Sequence, residues 1–179
     1  MKLITSLSLL VIAGLSFGAS ESSAELISKA QNDAKKGGKN VLVIFHASWC
    51  GWCHRFDKFL DTTEEGKIVK SGLEVVHITV MENDPKQKPN ENAGGMELMT
   101  QLGGEKAGLP FMAILDSKSG KMVVNSLQKP GDQRSNTGYP AAPGEIAHFM
   151  TMLEKGAKKI KPMDRAKVNA WLVANAPKG

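Results

Sequence analysis

The chain has little cysteine: two residues in 179, Cys50 and Cys53. That excludes a scaffold held by several disulfides, and any bridge within the monomer must join this pair. A loop with only two intervening residues is a poor structural staple, because cross-link stabilisation grows with loop length. Redox chemistry is the better reading of the pair. Long apolar runs are also scarce. The longest, residues 3–15, is short for a membrane span. No cysteine follows it for lipid attachment, no internal repeat is present, and aromatics are nowhere interleaved with basic residues as on a nucleic-acid surface.

What is present at the N-terminus is Lys2 followed by that apolar run, the pattern of a secretory signal peptide over residues 1–20. Gly18 and Ser20, or Ser22 and Ala24, offer small residues for cleavage; an uncleaved anchor is the alternative. The remainder, 21–179, is the length of one domain with an ordinary core. An exported, periplasmic or otherwise extracytoplasmic location is expected, with membrane contact only through an uncleaved signal segment. The net charge is +5, and much of the excess falls late, at Lys155, Lys158, Lys159, Lys161, Arg165 and Lys167. Such a run reads as the solvated face of a helix, with an acidic partner or membrane surface as the other reading.

The strongest stretch begins at Val41. Val41-Leu-Val-Ile-Phe-His46 is apolar and β-branched, and predicts a buried strand over 40–46. It leads through Ala47–Trp49 into Cys50-Gly51-Trp52-Cys53, after which Phe56, Phe59 and Leu60 recur on one side of a helix over 51–60. A helix start carries unpaired N–H groups and a partial positive charge, and both favour a thiolate. Cys50, at the exposed helix start, is expected to attack. Cys53, one turn inward, is expected to resolve the mixed disulfide. Trp49 is expected to pack beside the site, and Trp52 to be the more exposed and to border a substrate groove.

Around this unit a helix is predicted over 25–36, ended by Gly37-Gly38. Thr62 or Thr63 is positioned to cap a further turn through Lys70. A strand over 73–81 places Val76, Ile78 and Val80 on one face and Val75, His77 and Thr79 on the other, completing a parallel βαβ unit. Residues 82–95 read as a loop and 96–102 as a short helix. Strands at 111–115 and 121–125 are joined by Asp116-Ser117-Lys118-Ser119-Gly120, and 127–143 is irregular. Helices are predicted over 144–160 and 162–176; in the second, Asp164 is a possible cap and Val168, Trp171 and Leu172 form the apolar stripe.

Trp49-Cys50-Gly51-Trp52-Cys53 after a hydrophobic strand resembles the thioredoxin superfamily, with a matching order of elements from about residue 26 to 160. The resemblance implies a thioredoxin-like α/β fold: a mixed central sheet flanked by helices, a core over about 25–160 and an added C-terminal helical extension over 161–179. It also gives Leu109-Pro110, just before the hairpin, the place of the family's cis-proline facing the cysteines, with the preceding residue offering backbone hydrogen bonds to an extended substrate. In one respect the chain departs from the family: the buried acid six residues before the first cysteine is replaced by Ile44. Proton transfer from Cys53 then needs another group. His77 is the candidate, with His54 and His46 as rivals.

The implied activity is thiol–disulfide oxidoreduction through the Cys50–Cys53 pair, with no cofactor beyond that redox-active disulfide. Expected partners are protein or small-molecule thiols and disulfides and a redox partner that recharges the pair; direction, as reductase, oxidase or isomerase, is open. Three alternatives compete. Cys50-x-x-Cys53-His54 matches a c-type haem attachment motif, with His54 as axial ligand. Against haem stand the β-branched strand, the tryptophans around the motif and the Leu-Pro before the hairpin. The two cysteines and a histidine could begin a zinc site, but no fourth ligand cluster is evident. A non-catalytic binding module would have no need of both thiols.

Overall fold

The computed structural model describes residues 20–177, so the expected signal peptide, apart from Ser20, lies outside the described residues. The chain begins with α1 (Ser23–Gly37), whose start is closed reciprocally: Ser22 Oγ accepts the Glu25 N–H, and Glu25 Oε2 accepts the Ser22 N–H at 2.8 Å. Strand β1 (Asn40–His46) follows, buried on both faces from Val41 to Phe45. Next come α2 (Gly51–Thr62), α3 (Glu64–Gly72), β2 (Leu73–Thr79), α4 (Gly95–Gln101), β3 (Phe111–Leu115), β4 (Met122–Asn125), α5 (Pro143–Gly156) and α6 (Pro162–Ala174). Among the described residues no helix is long and apolar enough to cross a membrane.

The sheet runs β2-β1-β3-β4, with β1 parallel to β2 and the other pairs antiparallel. Alternation along the central strands sends side chains to two cores. Leu42, Ile44, Met112 and Ile114 meet α2, α3, α5 and α6 on one face. Val41, Val43, Phe45, Phe111 and Ala113 meet α1 and α4 on the other. The result is a thioredoxin-like mixed sheet between helical layers, with α6 added to one of them. Val76, Ile78 and Val80 fall in the second core as their spacing requires, and Val75 packs against the first.

Several boundaries differ from the sequence reading. Strand β2 ends at Thr79 rather than 81, and Met81 then takes a positive φ of 57° as the chain turns away. Helix α5 ends at Gly156 rather than 160: the helix stops at a weak former, and beyond it the Ile160 N–H donates to the Ala157 carbonyl at 3.0 Å with Ile160 buried. Asp164 is not the cap of α6. Lys161 occupies that position, and Asp164 lies in the first turn, accepting from Lys167 Nζ at 2.9 Å. The two segments read as loops each contain a short 3-10 turn, Lys88–Asn90 and Gln133–Ser135.

Thr63 makes the junction between α2 and α3. Its Oγ1 accepts the Gly66 N–H at 2.9 Å and donates to the Phe59 carbonyl at 2.8 Å. A Cβ on Gly66 would stand 2.6 Å from Leu60 Cα and collide with the Phe59 carbonyl. Backbone, not a flexible side chain, blocks it. Gly66→Ala is therefore expected to cost about 3 kcal/mol, the upper end of overpacking penalties, measured as a lowered urea midpoint with an unchanged m-value.

Candidate active site

Strand β1 ends at His46, and a tight turn closes with the Cys50 N–H donating to the Ala47 carbonyl at 3.0 Å. This sets Cys50 as the N-cap of α2, the position where side chains ordinarily accept the free N–H groups of a helix. Here the acceptor is sulfur: Cys50 Sγ receives the Cys53 N–H at 3.1 Å. Cys50 and Cys53 are joined as a disulfide with their Cα atoms 5.2 Å apart. Both sulfurs are recessed. Cys50 is 4% exposed and Cys53 fully buried, packed with Ala47 and Leu109. The helix start is thus less open at Cys50 than the sequence reading holds, because Ala47 and Leu109 pack against it.

Trp49 and Trp52 are equally exposed, at 49% each, so Trp52 is not the more open of the two. The Trp49 indole N–H donates to the Met81 carbonyl at 2.7 Å, which holds that ring beside the site. Trp52 lies parallel to Tyr139, ring centroids 5.8 Å apart, and Arg55 extends over both rings. Leu109-Pro110 is a cis peptide. It packs toward the sulfurs through Leu109 and is held by Asn136, whose Nδ2 donates to the carbonyls of Gly108 at 2.7 Å and Pro110 at 3.1 Å. Gly51 has open space where a Cβ would stand.

Four residues that the sequence reading passed over frame this geometry. Asn136 and Tyr139 come from the irregular segment after β4, and only the fold brings them to the site. Glu82 is 6% exposed; its carboxylate accepts the Ser48 N–H at 2.7 Å and the Ser48 hydroxyl at 2.6 Å, fixing the turn that carries Trp49 and Cys50. Asp57 follows Cys53 by four residues, on the same helix face, and its Oδ1 accepts from His77 Nε2 at 2.8 Å. That spacing was available in the sequence.

The histidines are drawn to different partners. His54 Nε2 donates to the Ser48 carbonyl at 2.8 Å. His46 lies edge-on to His77 at 5.1 Å, with its Nε2 3.2 Å from Thr79 Oγ1. With Cys53 buried and His54 tied to Ser48, the residues do not fit a haem held by both sulfurs and His54 without opening the start of α2. Among the described residues, no three His, Cys, Asp or Glu side chains converge as a metal site.

Burial, then the charge of His77, holds the His46 pKa below its ordinary 6.5; Asp57 and Glu82 pull the other way, and His54 adds a smaller lowering. A histidine whose folded pKa is depressed favours the folded state above its unfolded pKa, and that advantage is lost as pH falls through the folded value. Folding stability is therefore expected to decline as pH drops below about 6.5. His46→Asn should flatten that decline in urea titrations across pH 7.5 to 5 (about the range where histidines titrate).

A family model described as thioredoxin-like matches residues 25–117. Among solved structures, a disulphide isomerase from Xylella fastidiosa Temecula1 is 18% identical, covering 91% of this chain and 98% of its own, with a TM-score of 0.50. A DsbH oxidoreductase is 17% identical, with 84% of this chain and 95% of that one covered and a TM-score of 0.45. The oxidised C-terminal domain of DsbD from Neisseria meningitidis is 19% identical, covering 60% and 84%, at 0.43. A comparison with curated proteins finds no match. The likeness to the isomerase is one of fold, and it agrees with the family match. Over more than half its length, and in the order of its strands and helices, the chain belongs to the thioredoxin-like family.

Proposed function

We propose that the chain is an exported thiol–disulfide oxidoreductase working through Cys50 and Cys53. The observation that carries this reading is the placement of Cys50 sulfur as the cap of α2, within reach of the Cys53 N–H. Once the pair is reduced, the same free N–H groups and helix dipole favour the Cys50 thiolate. That thiolate attacks a substrate disulfide, forming a Cys50–substrate bond and releasing one substrate thiolate. Cys53 then loses its proton and attacks Cys50 Sγ. The intramolecular disulfide returns and the second substrate thiolate departs, so two electrons have passed to the substrate. The reverse sequence oxidises a dithiol, and the partner that recharges the pair decides the direction.

Leu109 and Pro110 form the wall opposite the sulfurs, where an extended substrate would lie. Gly51 leaves room for its approach, and Trp49 and Trp52 flank the entrance. We assign proton acceptance from Cys53 to His77 with Asp57, because Asp57 stands one helical turn beyond Cys53 and is bonded to His77. Of the two rivals, His54 has its Nε2 engaged by the Ser48 carbonyl and His46 has its Nε2 3.2 Å from Thr79 Oγ1. Export is supported by the leader-like sequence of residues 1–20.

Reduction of a fluorogenic peptide disulfide under a dithiothreitol supply tests the reading. Cys50→Ser is expected to abolish turnover above the uncatalysed rate, whereas Cys53→Ser, pre-reduced and freed of dithiothreitol before the peptide is added, should retain attack and accumulate a mixed disulfide visible by mass spectrometry. Full turnover by Cys50→Ser would end the proposal. For the proton acceptor, His77→Gln is expected to slow the resolving step and change its pH profile while leaving the first attack rate in place; stopped-flow separation of the two steps reads this directly.

A further inference from the structure

The extension α6 has no part in holding the sulfurs, yet it builds a wall of a groove beside them. This groove, about 890 Å³, starts at Gly51 and Trp52 and follows the outer side of α2 to Thr63. Its apolar surface comes from Trp52, Phe59, Tyr139 and Trp171, and Trp171 packs on Phe59 with ring centroids 5.0 Å apart. Its polar rim carries Arg55 and Lys58, and among the described residues no acidic one lines it. Neither cation lies within 4.0 Å of a carboxylate among the described residues. Arg55 is instead laid over the Trp52 and Tyr139 rings, 5.8 and 5.3 Å from their centroids. A groove with an aromatic floor and uncompensated positive charge is complementary to an anionic ligand that also offers apolar surface.

Length separates a peptide from a small molecule. The groove runs along the whole of α2, 12 residues, or about 18 Å at ~1.5 Å per residue. An extended chain covers that distance with about five residues. Trp52 and Tyr139 also line a second cleft, about 470 Å³, that contains Gly108 and Leu109. The stacked pair is therefore a saddle between the cis-proline side and the groove, and a chain bound beside the sulfurs can continue over it.

We propose that this groove receives a short acidic segment of a partner protein, adjoining the cysteine that reacts with Cys50, with Arg55 and Lys58 meeting its carboxylates and Trp171 its apolar side chains. The assignment deepens the oxidoreductase reading and depends on it for the reactive cysteine, though not for the acidic ligand.

The test uses the full chain and a pair of pentapeptides with a central Phe, one rich in Glu and the other in Lys. In the first arm the peptides carry Ser in place of Cys, and binding to the oxidised protein is followed by tryptophan fluorescence. In the second arm they carry a cysteine disulfide, and kcat/KM for its reduction is measured. The acidic peptide is expected to be favoured roughly tenfold in both arms, as two exposed ion pairs allow. The preference should shrink at high salt, vanish when Arg55→Gln and Lys58→Gln are combined, and reverse when Arg55→Glu and Lys58→Glu are combined. Equal behaviour of the two peptides in the first arm overturns the assignment. So does oxidised glutathione competing at lower concentration than the acidic peptide, which would make the occupant a small molecule. If the first arm discriminates but no disulfide is reduced, the acidic ligand stands and the oxidoreductase reading falls. If disulfides are reduced without discrimination in either arm, the reverse holds.

Discussion

A sulfur atom occupies the place where a helix normally puts an oxygen. Cys50 caps α2, its Sγ accepting the Cys53 N–H at 3.1 Å. The rest of the molecule serves to keep that helix start aimed at the end of β1. The strand is buried on both faces and paired on both edges, with β2 on one side and β3 on the other. It therefore has little freedom to shift, and the turn from Ala47 to Cys50 inherits that rigidity. Placing the reactive group on regular elements, and not on a loop tip, is what gives a dithiol a defined approach geometry.

The two long irregular segments brace the site. From the first, Glu82 grips Ser48 from beneath the cysteine turn, and the Met81 carbonyl holds the Trp49 ring. Asn92 ties the same segment back to β2, its Oδ1 accepting the Thr79 N–H at 2.7 Å. The second sends Asn136 to the carbonyls on both sides of Leu109-Pro110 and Tyr139 to the face of Trp52. Both sides of the sulfur pair are thus held by residues that carry no strand or helix pattern of their own.

This explains what could and could not be read before folding. Local periodicity found the central strand, the helix start, the two faces of β2 and the hairpin, because alternation and helical spacing are properties of neighbouring residues. Resemblance, not pattern, singled out Leu109-Pro110. Asp57 was legible as the fourth residue after Cys53. Glu82, Asn136 and Tyr139 were not, since each reaches the site across a long sequence separation from a segment without period. The exposure of Cys50 was misjudged for the same reason: Leu109, more than fifty residues away, helps to cover it. Helical spacing continues past the end of α5, whereas the helix itself stops at Gly156, a weak helix former.

In the oxidoreductase reading proposed above, the burial of Cys53 constrains every molecule that trades electrons with the pair. Cys53 has no exposed surface at all, and Cys50 is only 4% exposed. In that reading an approaching sulfur meets Cys50 alone, which favours partners that carry the thiol on a protruding loop or flexible tail over those whose own cysteine lies flush or sunken.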